Sequence, residues 1–275
     1  MASFSSHKGI CYTFIITRAA RRGKSAGQKG GAVLKKVPEL SSFGLHLLAM
    51  TLMLVDHLCI ALAPQQLWMH CVGRLAFPIF AFLMAEGFCH TSSRARYARR
   101  LLVFALLSEV PFDLLASGRP FDLSHQNVLW TFLIALGSMQ LLERAAATSR
   151  PAGRLALGAA ATLGGFAAGT LFMTDYFGPG VWMVLVFYLF RGNGWQQRLS
   201  QLAGLLLLNG ALLAGQTVLL FGLPLPVQSF AVLALAPIWL YRGRQGPHGR
   251  AVRWLFYGFY PAHLLVLAAA AALAN

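Results

Sequence analysis

Apolar runs of membrane-spanning length recur along this chain and leave little room for any other architecture. A helix needs roughly 20 consecutive apolar residues to cross the hydrocarbon core. Runs of that order fall at 43–62, 67–90, 100–117, 126–142, 154–173, 178–190, 202–221, 228–241 and 254–273. The sixth and eighth are short, so their ends are the least sharply set. Only 11% of the residues are charged, against about 25% in a soluble domain. That excludes a soluble globular enzyme, a disordered chain and a disulfide scaffold. The pattern predicts an all-α fold, a polytopic transmembrane helix bundle of nine spans.

Charge sets the orientation. The net charge is +15, from 23 Lys and Arg against 8 Asp and Glu. In a soluble protein such an excess points to nucleic acid, but basic loops on one side of a bilayer account for it here, and no nucleic-acid partner is expected. With the N-terminus in the cytoplasm, the inner segments are 1–42, 91–100, 143–154, 191–201 and 241–253. They hold 8, 4, 3, 2 and 4 of the 23 basic residues, leaving Arg74 and Arg119. The alternation predicts the N-terminus inside and the C-terminus outside, in a bacterial inner membrane. Residues 1–42 read as a basic, partly disordered cytoplasmic tail, and 43–275 as the membrane domain. No loop is long enough to fold alone, so any chemistry sits among the helices or at their mouths. No metal-ligand spacing, GxGxxG or P-loop occurs, and no metal is expected.

An ionisable group in hydrocarbon costs about 2.5–3.5 kcal/mol on insertion scales, which makes it a functional hypothesis. Four of the eight carboxylates, Asp56, Glu86, Glu109 and Asp113, fall inside spans, and Asp175 stands at a helix mouth. At 1.5 Å per residue, Asp56 and His57 on the first helix and Arg74 on the second all lie about 8–11 Å below the outer surface. A very short loop joins these helices, so an Asp56–Arg74 ion pair is expected. Glu109 and Asp113 share a face of the third helix, Pro111 loosens it, and Asn127 opens the fourth helix on the same side. Together these residues predict a polar chamber open to the outside.

His57 is the candidate general base, with a carboxylate raising its basicity. Asp56 lies about 100° round the helix from it, so Glu109 is the candidate for orienting it. A purely structural polar network weighs equally on spacing alone. His263 lies mid-depth in the ninth span, on one face with Tyr260; by itself it reads as a satisfied core histidine. Glu86 and His90 form an i,i+4 pair near the inner surface, most simply a solvated interfacial pair.

The runs LLAMTLMLVDHLCIAL, VGRLAFPIFAFLMAEGFCHT, LLSEVPFDLL, QNVLW and FYGFYPAHLLVL closely resemble the TraX family, from about Leu45 to Leu267. Asp175, Tyr176, Phe177 and Gly178, followed by Gly180, resemble a Y-G-x-x-G stretch of that family. The resemblance implies an inner-membrane N-acetyltransferase, an enzyme that moves acetyl from acetyl-CoA to the N-terminal amine of pilin during conjugative pilus maturation. The family looks distantly similar to membrane acyltransferases in which a basic residue precedes an essential first-helix His by ten intervening residues. Carried over, that His is His57 and the basic position falls on His46, where relatives commonly carry Lys.

With that resemblance, the catalytic candidates are His57, Asp56, Arg74, Glu109, Asp113 and His263. Arg74 is placed to stabilise an oxyanion. Asn127, Asp175, Tyr176 and Tyr260 are candidates for holding the acceptor. His46, Glu86, His90, Arg94, Arg96 and Arg99 are candidates for the CoA side, although the arginines read first as the topology signal. Arg100, Arg242, Arg244, Arg250 and Arg253 belong to the same inner charge. The alternatives are acetylation of an envelope glycan or lipid, and a non-enzymatic scaffold for pilin assembly. A proton-coupled transporter ranks last.

Overall fold

A computed structural model describes residues 39–274, except 214, 221 and 248. The first 38 residues of the expected tail lie outside the described residues. The described chain is mostly helical. The first four helices are α1 (Ser42–Leu62), α2 (Leu67–Gly73), α3 (Ala76–His90) and α4 (Arg94–Ser117). They are followed by α5 (Val128–Ala147), α6 (Pro151–Ala159), α7 (Gly165–Leu171) and α8 (Phe177–Leu189). The last are α9 (Trp195–Leu207), α10 (Leu235–Trp239) and α11 (Arg250–Ala274).

Local chemistry sets the helix starts. The Ser41 and Ser93 hydroxyls accept from the Gly44 and Arg96 amides, and the Asn127 side chain accepts from the Leu129 amide. Each cap satisfies a donor that a helix start would leave orphaned. Pro151 occupies the first turn of α6, where its missing N–H costs nothing. α4 ends on Gly118 in the left-handed region, φ 70°. α3 is apolar all round and buried on most positions, as expected of a central helix. It packs between α1 and α8, with α5 beside α8 and α11 closing on α1 and α4.

The membrane-spanning expectation is met in its coarser form. Among the described residues, four helices are long and apolar enough to cross a bilayer: Ser42–Leu62, Leu67–His90 (α2 and α3 together), Val128–Ala147 and Arg250–Ala274. Phe177–Leu189 and Val227–Trp239 are shorter apolar helices.

Two expected spans need correction. The expected 202–221 span ends its helical part at Leu212, after a π-helical stretch from Leu208 to Leu212. Beyond it, β1 (Thr217–Leu220) and β2 (Leu223–Pro226) form an antiparallel hairpin, with Thr217 opposite Pro226 and Leu220 opposite Leu223. Apolar content alone did not separate strand from helix there. Pro224 and Pro226 cannot continue a helix ladder, and they sit in a two-stranded ribbon that tolerates missing donors at its edges. The expected 228–241 span is a 3-10 stretch, Val227–Ala234, followed by the one-turn α10. Buried amides hold it in place. Gln228 donates to Asn209 at 2.9 Å, and Trp239 donates to Gln201 at 2.8 Å.

The helix ends sort into two groups. One end joins Leu40 to Tyr241, Ser42 to Arg244, Arg94 to Glu143 and Arg191 to Glu86. The other joins Cys59 to Gln66 and Gln126 to Thr174. The first group carries the arginine-rich segments, so the charge asymmetry read from sequence is a physical polarity of the bundle.

Candidate functional site

The site is built where α1, α2 and α11 meet. Asp56 and His57 follow each other on α1. The Arg74 guanidinium donates to one carboxylate oxygen of Asp56, and His70 Nδ1 donates to the other at 2.8 Å. The expected ion pair is therefore present, with a second donor, His70, that sequence reasoning missed. Nothing in a lone His near a helix mouth marked it. Gly73 makes the approach possible, because a Cβ there would collide with the Asp56 side chain. Arg74 Nε is buried without an acceptor.

His57 faces the other way. Its Nδ1 lies 2.7 Å from Nε2 of His263 on α11. His263 Nδ1 lies 2.8 Å from the Phe259 carbonyl, which only accepts. In the neutral pair the proton positions follow: His263 donates through Nδ1, accepts from His57 through Nε2, and leaves the lone pair of His57 on its own Nε2. His263 is thus a buried histidine with both ring nitrogens satisfied, as read from the sequence, and one of its partners is His57. One expectation needs correction: Glu109 does not orient His57. The Glu109 carboxylate instead accepts from Asn127 and, at 2.8 Å, from Trp130 Nε1, a second residue missed in the sequence. Asn127, fully buried, also donates to the Ala105 carbonyl at 2.9 Å, so it ties α5 to α4.

Asp113 accepts the Asp122 amide at 2.9 Å and anchors the loop after α4. Asp175 shares its backbone with Gln126, accepts from Thr131 through its carbonyl, and places its carboxylate 3.5 Å from His125. The carboxylate beside it holds His125, in the loop outside the spans, above the usual histidine value, despite partial burial. Tyr176, at φ 62°, stacks on Phe77 with ring centroids 3.8 Å apart.

A cavity of 460 Å³ opens between α1, α3, α4, α5 and α11. At the arginine-rich end its lining includes His46, Glu86, His90, Arg100 and Arg253. Its depth reaches Met53, one turn before His57, and Tyr260, three residues before His263. Met50, Leu83, Met84 and Phe132 make its middle apolar.

Of the CoA-side candidates, His46 donates to the Ser42 carbonyl at 2.8 Å and stacks on Phe256, centroids 4.5 Å apart. Glu86 pairs with Arg191, another partner the sequence did not disclose, while His90 Nδ1 donates to the Glu86 carbonyl at 2.8 Å. Arg94 is committed to Glu143 and lies over the Phe88 ring. Arg96 reaches Ser92 at the surface. Arg99 lines a separate groove between α4 and α11. The arrangement thus offers a base with a free lone pair, a half-buried cation with a spare donor, and an apolar cavity whose lining runs from the basic end to Met53 and Tyr260, one turn short of the imidazole pair.

A model of the TraX protein family matches residues 42–270. The chain is 29% identical over 248 residues to a "Probable fimbrial assembly protein FimC, serogroup H1" of Dichelobacter nodosus, spanning 84% of this chain and 96% of that protein. No solved structure matches. With the matched region taking in α1 to α11, and with it Asp56, His57, Arg74 and His263, the chain belongs to the TraX family.

Proposed function

We propose that this chain is an inner-membrane acetyltransferase. It takes acetyl from acetyl-CoA on the cytoplasmic side and passes it to the N-terminal amine of a pilus or fimbrial subunit. The single observation that carries the reading is the imidazole pair His57–His263 standing one turn beyond the deep end of a cavity that opens at the basic face. Family membership and the fimbrial name of the relative favour a pilus subunit as acceptor over a glycan or lipid. We read the topology as multi-pass with the arginine-rich end inside, which brings the acceptor to the opposite end, past Asp113, Asn127 and Asp175.

The residues present fit the donor. An apolar cavity of 460 Å³ has room for a thioester arm, and Arg100 and Arg253 in its lining suit phosphates. Bound there, acetyl-CoA supplies an activated carbonyl carbon. His57 Nε2 is free to hold the proton that an attacking amine gives up and to return it to the leaving sulfur, so an N–C bond replaces the C–S bond with no net proton consumed. His263 holds His57 in that tautomer. The spare Nε–H of Arg74 is available to negative charge developing on the carbonyl oxygen, in a site where few other donors compete.

The test is transfer of radiolabelled acetyl from acetyl-CoA to a peptide bearing the subunit's N-terminus, with the protein purified in detergent. His57→Ala is expected to lower the rate by about 10²–10⁴ while inserting normally. Label on an envelope glycan or lipid but not the peptide would overturn the acceptor. Label on neither would overturn the enzyme and leave the scaffold.

A further inference from the structure

The arginine-rich end carries a second concavity beside the cavity assigned to acetyl-CoA, with which it shares Arg100, Arg253 and Tyr257. It is a groove of 300 Å³ between α4 and α11, open to the side of the bundle. Arg99 and Arg100 come from the second turn of α4, and Arg250 and Arg253 from the first turn of α11. Both helices begin at this end, so two partial positive dipole ends add to four guanidinium charges. Among the described residues, none of the four arginines has a carboxylate within 4.0 Å; the acids of this end are committed to Arg94, Arg191 and Arg244. Arg100 lies over the Tyr257 ring, 5.9 Å from its centroid, and its Nε is buried without an acceptor. Four like charges held together this closely repel one another unless an anion sits among them.

The surroundings say which kind of anion. Towards the bilayer interior the α4 side of the groove continues into exposed apolar side chains, Val103, Leu106 and Leu107. Trp254 walls the groove and is 60% exposed, its ring meeting Phe104 with centroids 6.1 Å apart. An amphipathic ring at that depth is characteristic of the lipid headgroup level. A soluble anion would find charge here but no reason for the exposed apolar side chains. The geometry points to a binding site for the phosphate headgroup of an anionic phospholipid, its acyl chain lying along α4. Basic pockets between helices on the cytoplasmic side follow the same logic generally. The site stands on the multi-pass fold and is independent of the acetyl-transfer reading.

Phosphate chemistry has a second source here, because Arg100, Arg253 and Tyr257 also face the inner cavity. The experiment therefore uses Arg99 and Arg250, which line the groove but not the cavity. Purified protein in a neutral detergent is titrated with phosphatidylglycerol or phosphatidylcholine and followed by thermal melting and native mass spectrometry. We expect retention and a raised melting temperature with phosphatidylglycerol only, weakened by added salt. R99Q/R250Q is expected to bind it at least about tenfold more weakly, and R99K/R250K to recover most of the loss, since each charge near the surface contributes about 1 kcal/mol. The melting temperature of lipid-free R99Q/R250Q, unchanged from wild type, shows that the variant is folded. Three results would overturn the site: equal binding of phosphatidylcholine, phosphatidylglycerol binding unaffected in R99Q/R250Q, or displacement of bound lipid by adenosine 3′,5′-bisphosphate, which assigns the arginines to a nucleotide.

Discussion

The chemistry rests on which nitrogen of His57 is left free, and that is decided by a residue 206 positions away. If His263 only fills space, His263→Ala costs stability and leaves the pH profile alone. If it fixes the tautomer, His263→Ala lowers the acetyl-transfer rate about 10–100-fold, as loss of a supporting hydrogen-bond partner commonly does. His263→Gln, whose carbonyl accepts from His57 Nδ1, then regains part of the loss, and the two variants separate in their pH–rate curves. Asp56 carries a different prediction. It is buried against the half-buried Arg74, and removing one member strands a charge. Asp56→Ala is expected to lower stability by about 3–5 kcal/mol, and Asp56→Ala with Arg74→Leu to recover much of that; unfolding in mixed micelles measures both. The Asp56–Arg74 pair was legible because equal depth on consecutive helices follows from residue counting. His57–His263 was not, since no local pattern says which distant helix closes on the first. Glu109 misled for the same reason: two carboxylates on one face show where they point only once Asn127 and Trp130 are in place.

At the scale of elements, α7 and α8 touch at bare backbone. A Cβ on Gly169 would stand 2.7 Å from the Phe177 carbonyl oxygen, and one on Gly178 2.6 Å from the Phe166 carbonyl. Small residues let helices in lipid approach this closely. Gly169→Ala is expected to destabilise by about 1–3 kcal/mol, because backbone cannot yield as a side chain does. Gly164→Ala, which meets open space, is expected to be neutral or to gain about 0.5–1 kcal/mol from helix propensity; parallel melting curves test the contrast. The loop before α5 has its own signature. His125 is held above histidine's ordinary 6.5 by Asp175. A raised folded value means the loop's added stability is fully present below that ordinary value and fades as pH climbs through the raised one. Wild type should lose melting temperature between about pH 6 and about pH 8.5 relative to H125Q, in which the pair is gone at either pH. Helix boundaries for the longest apolar runs were readable from hydropathy. The hairpin at 217–226 was not, because apolar content is shared by strand and helix, and only the alternating Pro224 and Pro226 carried the difference.

At the scale of the molecule, the arginines gather at one end of the bundle, while Glu109, Asp113 and Asp175 lie towards the other. This polarity predicts that a cysteine at Ser124 is labelled from outside intact cells, and one at Ser149 only after permeabilisation, in a cysteine-depleted background. The reverse pattern would invert the orientation and with it the side from which each substrate enters. The gathering of the arginines at one end was the most legible property of all, because the basic residues alternate by loop along the chain. The cavity and the groove beside it were invisible, since both are made by residues that converge from α1, α4 and α11.

The mouth of the cavity is framed by a strap of main chain. The Leu40, Ser42 and Phe43 amides donate to the carbonyls of Leu240, Arg244 and Gln245. Bonds of this kind do not read side chains, so the aperture is inherited by any descendant sequence that keeps the chain path. Exposed positions such as Arg242 and Gln245 can then drift in identity, and with them the chemistry displayed at the entrance, while the main-chain bonds keep its width. Proline is the exception, for it alone deletes a donor. One frame can thus serve relatives whose cytoplasmic visitors differ.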